Sequence, residues 1–346
     1  MWKEAAFTIP YQFMMMPTFS KGPKRLLGAS TLDRSATIKR LATSINLSQD
    51  SKIITVGTLT PRSSYATTTF KTLEFKNRMS VLKIEKTDFV AIVTLNRPEA
   101  RNSLNPELIC ELSKTWVKLS LDPQIRAVVL TGANGTTFCS GFDLGSTIPI
   151  INGTKKPTND FENAIAQDPS LMGKATLRDY DIGKPLIAAV NGHAIAGGME
   201  LMLSCDIRVV ATQVKLGLSE VALGMIPAMG GTAKLARHLP TALAMEMLLT
   251  AKPMISDRLA ESGLINRLEE PGEVLNSALE IAKTIASNAP IAAQEARSVL
   301  LASADLTVEQ ALSLESSSSS MLMTTEDAVE GPRAFLERRA PIFKGR

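Results

Sequence analysis

A chain of 346 residues with 45% hydrophobic and 21% charged content is long enough to bury one large core or two ordinary domains. Its three cysteines lie far apart without a CxxC spacing, and its two histidines have no second histidine nearby, so the sequence indicates neither a disulfide framework nor a metal site. No segment approaches the roughly 18 consecutive apolar residues of a membrane helix, so we expect no membrane partner.

The net charge of +4 belongs to the N-terminal end of the chain. Residues 1–80 contain 12 Lys/Arg, 4 Asp/Glu and 21 Ser/Thr, whereas the other 266 residues contain 26 Lys/Arg and 30 Asp/Glu. This composition predicts that residues 1–79 form a disordered N-terminal extension, with a mitochondrial transit peptide as one interpretation. The alternatives are an extension without a targeting role and a gene model whose true start is Met79; either would fit a cytoplasmic or peroxisomal location. The mildly acidic remainder has no basic stripe, which predicts no nucleic-acid partner.

Regular apolar patterns begin at Ser80 and predict a β-hairpin followed by a helix. Segments 81–84 and 89–95 have the composition of paired strands. Residues 105–107, Asn-Pro-Glu, are typical of a helix start, because Asn caps the first turn, Pro fits its first position and Glu complements the helix dipole. The Asp-Pro pair at 122–123 is expected to end this helix.

Three buried strands are predicted further along the chain, at 127–131, 185–190 and 206–212, with a short helix between the last two. Alternating strands and helices of this kind predict an α/β core. The polar, turn-rich segment 146–180 predicts a mobile cover over the preceding glycine-rich loop. From Thr241 onward the pattern is nearly all helical.

Two glycine-rich turns, each following a buried strand, are the most informative feature of the sequence. They are Phe138–Leu144 (FCSGFDL) and Asn191–Glu200 (NGHAIAGGME). Glycine lets a ligand approach the backbone and a helix start leaves N–H donors free, so two such turns can form an oxyanion hole around one carbonyl oxygen. Tight packing is the alternative interpretation. A dinucleotide site or P-loop is not indicated, because neither turn has the glycine spacing of those motifs.

From about Ser80 to the C-terminus the sequence resembles the crotonase family of enoyl-CoA hydratases and isomerases. The motifs that carry this resemblance are Asn96-Arg97-Pro98, the CSGFD turn at 139–143, the stretch from Ala188 to Glu200, the stretch from Ser219-Glu220 to Gly231, and the closing segment Ala334–Phe343. The resemblance implies an α/β fold built as a spiral of ββα repeats over residues 80–265, followed by a helical C-terminal trimerisation region at 266–346. It also implies a homotrimer or hexamer and an acyl-CoA substrate. No cofactor is expected, because coenzyme A is part of the substrate.

The resemblance further implies a role for individual residues. The backbone amides of Phe142 and Gly197 would form the oxyanion hole that binds the thioester oxygen. Glu200 and Glu220 match the positions of the two catalytic glutamates of enoyl-CoA hydratases. The remaining residues expected to line the substrate site are Gly141, Asp143, Leu144 and Gly198. Phe142 is bulkier than the Ala or Gly often found at its position, which predicts a reshaped acyl pocket.

Two carboxyl groups and an oxyanion hole are sufficient to hydrate a conjugated double bond, which needs water at the β-carbon and a proton at the α-carbon. We predict that Glu220 delivers the proton and that Glu200 holds and activates the water. Glu200 lies in the first helical turn after Gly197, and a return of the chain through 215–218 can bring Glu220 opposite to it. The structural alternative is that Glu200 complements the helix dipole and Glu220 supports a helix cap.

Two neighbouring polar residues are expected to be structural. Asp143 should order its own loop, and His193 should pack within its turn.

Two other functions remain as alternatives. A Δ3,Δ2-enoyl-CoA isomerase, or another crotonase-type acyl-CoA lyase, would move a proton between carbons with one glutamate, and the presence of both glutamates favours the hydratase. A non-catalytic crotonase-fold protein, acting as an assembly subunit or RNA-associated partner, would not need either glutamate.

Overall fold

The computed structural model describes residues 80–346 and, before them, only the backbone of the strands between residues 42 and 75. The chain divides into two compact units, Met1–Arg78 and Met79–Arg346. The division lies next to Ser80, where the sequence pattern changes.

In the N-terminal unit three strands form an antiparallel sheet, with β2 in the middle: β1 (Ala42–Ser48), β2 (Ser51–Arg62) and β3 (Tyr65–Phe75). These segments are rich in Thr and also contain Ile, and both residue types favour extended backbone. The sheet differs from the disorder predicted for residues 1–79, because that prediction followed overall composition rather than strand propensity. The rest of the predicted extension, including any transit peptide, lies outside the described residues.

The globular unit begins with the predicted hairpin of β4 (Leu82–Thr87) and β5 (Val90–Leu95). Asp88 and Phe89 form its two-residue turn, with φ angles of 45° and 65°. Two successive left-handed residues give the turn a twist that matches the twist of the paired strands.

The predicted helix follows as α1 (Pro106–Leu121). The Asn105 side chain accepts a hydrogen bond from the Leu108 N–H at 2.9 Å, so the expected N-cap is confirmed. The apolar face of α1 is fully buried in the core, and it includes Leu108, Leu112, Trp116 and Leu119.

The remaining strands are short. In chain order they are β6 (Ala127–Gly132), β7 (Thr137–Cys139), β8 (Leu186–Val190), β9 (His193–Ile195), β10 (Ile207–Ala211), β11 (Lys215–Gly217), β12 (Met254–Ile255) and β13 (Arg267–Glu269). The remaining helices are α2 (Thr147–Ile151), α3 (Asp160–Gln167), α4 (Ser170–Ala175), α5 (Gly197–Leu203), α6 (Gly231–His238), α7 (Thr241–Thr250), α8 (Ser256–Glu261), α9 (Val274–Ser287), α10 (Pro290–Ser303), α11 (Val308–Leu322) and α12 (Glu326–Leu336).

The globular unit contains two sheets. The larger has the order β13-β10-β8-β6-β5-β4 and is parallel except for β4, and the smaller has the order β12-β11-β9-β7. The chain passes from the larger sheet to the smaller one three times, through β6 to β7, β8 to β9 and β10 to β11, and returns to the larger sheet after each passage. This alternation is the spiral of ββα repeats that the resemblance implied.

The segment 146–180 differs from the mobile cover predicted from its polarity. It contains the helices α2, α3 and α4; α3 and α4 pack against α1, and α2 packs against α3. The Trp116 indole N–H donates to the Ala175 carbonyl at 2.9 Å, and the Ser113 hydroxyl donates to the Leu171 carbonyl at 2.8 Å. Buried polar groups on α1 therefore hold this segment in place, which its own sequence does not indicate.

The boundary between core and C-terminal helices also lies later than predicted. β13 is the edge strand of the larger sheet, and α9 packs on its central strands through the buried side chains of Val274, Ala278 and Ala282. The core therefore extends beyond residue 265 to the end of α9, because β10 requires a partner and the sheet requires a covering helix.

α10 and α11 bury none of their residues. Large apolar side chains remain exposed on the helices after α9: Leu300, Leu301, Val308, Leu312, Met323, Val329 and Phe335. An apolar surface of this kind is typical of a subunit contact. Of the helices that the structure describes, none is long and apolar enough to cross a membrane.

Removal of residues 1–78 is expected to leave the globular unit folded, because the buried core between Val81 and Ala286 lies entirely within it. Thermal unfolding of residues 79–346 should give the melting temperature of the full chain within about 2 °C, since a compact unit with its own core is able to fold alone. Loss of soluble protein on truncation would contradict this expectation.

Candidate active site

Three adjacent parallel strands end at the same edge of the smaller sheet, and the predicted site residues follow them. Phe142 lies three residues after β7, Gly197 two residues after β9, and Glu220 three residues after β11. The carboxyl ends of parallel strands are the usual position of ligand sites in α/β proteins. The sheet therefore brings together turns that are up to 78 residues apart in the sequence.

The first oxyanion turn is oriented by Leu104. The Leu104 N–H donates to the Gly141 carbonyl at 2.8 Å, and the Asp143 N–H donates to the Leu104 carbonyl at 3.1 Å. In a bridge of this type the residue between the two bonded groups turns its own N–H to the other side. The Phe142 N–H therefore points away from Leu104, as an oxyanion donor requires.

Arg97 and Asp143 hold this turn in place. The Arg97 guanidinium donates to the Ser103 carbonyl at 2.6 Å and to the Asp143 carboxylate at 3.3 Å. The other Asp143 oxygen accepts from the Gly145 and Ser146 N–H groups at 3.0 and 3.1 Å. Burial would raise the pKa of Asp143, but these hydrogen bonds and the Arg97 charge bring it below its usual value. Asp143 thus orders its own loop, as predicted, and Arg97 explains why the Asn-Arg-Pro motif accompanies it.

The second oxyanion turn contains a strained residue, Ala196. Its backbone has φ 53° and ψ −126°, a conformation that an L-residue with a β-carbon seldom adopts. The Ala196 N–H donates to the Gly217 carbonyl at 2.8 Å, which ties the turn to the end of β11. Strain at Ala196 sets the direction of the next peptide, whose N–H belongs to Gly197.

The two turns are in contact. A β-carbon added at Gly141, where φ is 90°, would lie 2.9 Å from the Gly197 nitrogen and 2.9 Å from the Ala196 β-carbon. A β-carbon added at Gly197 would lie 3.1 Å from the Phe142 ring, so this ring lies beside the glycine. The close approach of glycine to glycine brings the two candidate donors, the N–H groups of Phe142 and Gly197, to neighbouring positions.

Glu200 is buried in the first turn of α5, with 1% of its surface exposed. Its Oε1 accepts from the Met229 N–H at 2.7 Å and from the Gly231 N–H at 2.9 Å, at the start of α6. Burial raises the pKa of Glu200, while these two N–H groups and the charge of Lys234 oppose the rise. The start of α6 therefore stabilises the ionised form of Glu200.

Glu220 begins the short 3₁₀ turn Glu220–Leu223 and has 9% of its surface exposed. Among the described residues its buried Oε2 has no hydrogen-bond partner. Burial, together with the charge of Glu200, raises the pKa of Glu220 to about 7. A carboxyl group in this position retains its proton up to neutral pH.

The two carboxyl groups thus lie in opposite environments. Glu200 receives backbone donors at a helix start, and Glu220 carries a buried oxygen without one. Burial raises the pKa of both groups, but the Met229 and Gly231 N–H groups favour the carboxylate of Glu200. When the surroundings of two neighbouring acids differ in this way, one is suited to act as base and the other as acid. Glu200 is suited to accept a proton and Glu220 to deliver one.

The other residues of the two turns have different positions. Leu144 has 57% of its surface exposed, where a ligand can contact it. Gly198 is buried, and a β-carbon there would lie 2.1 Å from the Cys139 carbonyl oxygen, so its α-carbon serves packing. The His193 ring accepts from the Lys215 N–H at 2.9 Å, which confirms the expected structural role. Burial raises the pKa of Cys139 to about 12, so its thiol stays neutral.

Sequence reasoning missed Ala196 and the donors Met229 and Gly231. Ala is not a residue type that signals a left-handed turn, so Ala196 had no detectable pattern. Gly231 is the last residue of the motif that begins at Ser219, but its N–H contact with Glu200 depends on tertiary structure. Among residues 80–346 no group of three or more His, Cys, Asp or Glu side chains is placed to hold a metal ion.

The chain is similar in sequence to known proteins. The chain matches a sequence model described as enoyl-CoA hydratase/isomerase over residues 85–346. It is 38% identical over 262 residues to (E)-benzylidenesuccinyl-CoA hydratase of Thauera aromatica, a match covering 76% of this chain and 98% of that protein. It is 35% identical over 257 residues to short-chain-enoyl-CoA hydratase of Clostridium acetobutylicum, covering 74% of this chain and 94% of that protein.

Solved structures give the same result for the fold. The crystal structure of enoyl-CoA hydratase from Bacillus anthracis matches with a TM-score of 0.70 and 31% identity, covering 77% of this chain and 100% of that chain. The enoyl-CoA hydratase from Mycobacterium tuberculosis matches with a TM-score of 0.69 and 32% identity, with the same coverage. These similarities confirm the spiral of ββα repeats.

Replacement of Gly141 by Ala should damage the oxyanion hole. The added methyl group would meet the Gly197 nitrogen in a backbone conformation that disfavours Ala. We expect kcat to fall by ~10², the loss typical of one oxyanion donor, when turnover of a 2-enoyl-CoA ester is measured. Gly145→Ala in the same loop is the control, because its nearest contact would be an ordinary 3.5 Å. Equal activity of both variants would contradict the proposed hole.

Replacement of Glu220 by Gln should stabilise the protein at alkaline pH. In the parent the folded state retains the Glu220 proton to about pH 7, whereas the unfolded chain releases it near 4.5, so stability falls as pH rises between these values. Gln does not ionise, and the variant should gain up to about 3 kcal/mol in free energy of unfolding at pH 8.5 relative to pH 4. Urea unfolding at both pH values measures this difference, and an equal change in parent and variant would show that Glu220 is not perturbed.

Proposed function

The chain belongs to the enoyl-CoA hydratase/isomerase family, also called the crotonase family, and from this we propose that it adds water across the double bond of a 2-enoyl-CoA thioester. The observation that carries the proposal is the pair Glu200 and Glu220, one stabilised as carboxylate and the other as acid, beside two converging backbone turns.

In the proposed reaction the thioester oxygen accepts hydrogen bonds from the Phe142 and Gly197 N–H groups. These donors stabilise the negative charge that gathers on this oxygen as the β-carbon is attacked. The backbone is rigid here, because Leu104 and Gly217 hold the two turns by hydrogen bonds. The hole therefore needs little reorganisation during the reaction.

The two glutamates would have different roles in the addition of water. Glu200 Oε1 is occupied by two N–H groups, which leaves Oε2 to hold a water molecule and accept its proton as the water oxygen bonds to the β-carbon. Glu220 gives its proton to the α-carbon. The product has gained one water molecule, and transfer of a proton from Glu200 back to Glu220 restores the starting state.

The isomerase remains the nearest alternative. It would need a single group to carry a proton between two carbons, whereas this site has two buried carboxyl groups with different hydrogen-bond surroundings. A non-catalytic role is disfavoured because the buried Glu220 Oε2, which has no partner among the described residues, lowers the stability of the fold. A binding scaffold gains nothing from this cost.

The substrate is proposed to be an acyl-CoA with an apolar acyl chain. Exposed apolar side chains follow Glu220 directly: Val221, Leu223 and Ile226. Such a surface can cover an acyl chain whose reacting carbons lie at the carboxyl pair. The Phe142 ring, which lies beside Gly197, narrows the space next to the thioester. We propose no separate cofactor, because the two glutamates and the hole account for the reaction.

We also propose that the chain assembles as a homotrimer or a pair of trimers. The support is the exposed apolar surface of α10 to α12, which nothing in a single chain covers among the described residues. Sedimentation at low micromolar concentration would give the mass of one chain if this proposal is wrong. The relatives named above are bacterial, and a mitochondrial location stays a prediction from the N-terminal composition.

Replacement of each glutamate by Gln tests the proposed function. Gln keeps the shape of the side chain but cannot donate or accept the catalytic proton, so Glu200→Gln and Glu220→Gln should each lower kcat for a 2-enoyl-CoA by ~10² or more. The double variant should lose less than the product of the two single losses, because both groups serve one transition state.

Glu246→Gln is the matched control, since Glu246 is an exposed residue paired with Arg258 on the surface. It should keep the parent rate. An isomerase would retain conversion of a 3-enoyl-CoA ester after loss of one glutamate. Full hydration activity in both single variants would overturn the proposed mechanism.

A further inference from the structure

Lys234 is a partly buried lysine that the proposed reaction does not use. It lies on α6, one turn after Gly231, and its Nζ donates to the Ser204 hydroxyl at 2.7 Å and to the Leu177 carbonyl at 3.1 Å. Neither acceptor carries a charge, so a surface ion pair does not explain the position of this ammonium group.

The side chain of Lys234 runs back along the start of its own helix. A β-carbon added at Gly230 would lie 3.2 Å from Lys234 Cε, so the stem crosses the first turn of α6. Helical side chains point towards the N-terminus of their helix, which explains this direction. The ammonium group is therefore brought towards the end of α6 whose Met229 and Gly231 N–H groups bind Glu200.

The two acceptors belong to the other elements that surround Glu200. Ser204 caps the C-terminus of α5, the helix that carries Glu200, and its hydroxyl lies 2.9 Å from both the Glu200 and the Thr176 carbonyl oxygens. Leu177 follows α4 in a left-handed conformation with φ 57°. One side chain thus connects α6, α5 and the segment after α4.

Charged groups of both signs act on the Lys234 ammonium group. Glu200 and Asp179 attract its ammonium group, whereas Arg178 repels it; Cys205 stays a neutral thiol, because burial raises its pKa to about 12. Burial lowers the pKa of Lys234, and the charge of Lys234 in turn lowers the pKa of Glu200.

We propose that Lys234 is a positioning residue for the carboxyl pair: its hydrogen bonds to Ser204 and Leu177 fix the start of α6, where two N–H groups bind Glu200, against α5 and the segment after α4. The proposal rests on the proposed function as far as turnover is concerned. The geometric part concerns the unliganded protein alone and can be tested without substrate.

The test compares the pH dependence of kcat/KM for Lys234→Met with that of the parent. Met keeps much of the stem but removes the charge and the donors, so the pKa of Glu200 should rise. The acidic limb of the profile should then move to higher pH by about 0.5–1 unit, and kcat should fall at least ~10-fold with KM changed less than about threefold. Lys234→Arg, which keeps charge and donors, should retain the parent profile. Lys252→Met, at an exposed lysine, is the control and should match the parent.

Two results would overturn the proposal: an unchanged pH profile in Lys234→Met, or an equal shift in Lys234→Arg. If the Met variant fails to fold, Lys234→Gln, which keeps a polar end group, gives the same comparison. If the parent proves inactive towards 2-enoyl-CoA esters, the proposed function fails. The inference is then decided by carbon-13 NMR titration of Glu200 and Glu220 in parent and variant, where an identical titration would reject it.

Discussion

Two carboxyl groups buried in one site cannot both be ionised at neutral pH without a large cost, because each charge is removed from water and repels the other. In this protein the cost is avoided by placing Glu200 and Glu220 in unlike surroundings. Glu200 Oε1 lies at the start of α6 with two N–H donors, while the Glu220 Oε2 is buried without a partner among the described residues. The asymmetry assigns the single proton of the pair, and the proposed chemistry follows from that assignment.

Three very short strands bring the turns of the site together. β7, β9 and β11 have three residues each, yet their parallel pairing places three turns at one edge of the sheet. The second of these turns contains Ala196 in a conformation that only its surroundings can maintain, through the bond to Gly217. Strain at Ala196 orients the Gly197 N–H towards the proposed ligand, a role that the stability of the fold does not require. The fold orients the backbone N–H groups, and the two glutamates are proposed to transfer the protons.

Local signals in the sequence predicted a large part of this arrangement. The hairpin of β4 and β5, the Asn105 cap of α1 and the two glycine-rich turns were all correct, because hydrophobic period, capping and glycine placement act within a few residues. The separation of Glu200 and Glu220 onto different elements was also predicted, since a returning strand had to intervene. The ordered helical structure of residues 146–180 was not predicted, because it depends on Trp116 and Ser113, which lie on a helix distant in the sequence. The contacts of Lys234 were equally inaccessible, since they require the relative placement of three elements.

The central claim is that the pair carries one proton at neutral pH and that Glu220 holds it. Carbon-13 labelling of glutamate side chains, with assignment by Glu220→Gln and Glu200→Gln, allows the two carboxyl groups to be titrated by NMR in the unliganded protein. We expect Glu220 to titrate with a midpoint near 7, and we expect Glu200, whose carboxylate receives two N–H donors, to lose its proton at lower pH than Glu220. Titration of both groups near the ordinary glutamate value of about 4.3 would contradict this expectation.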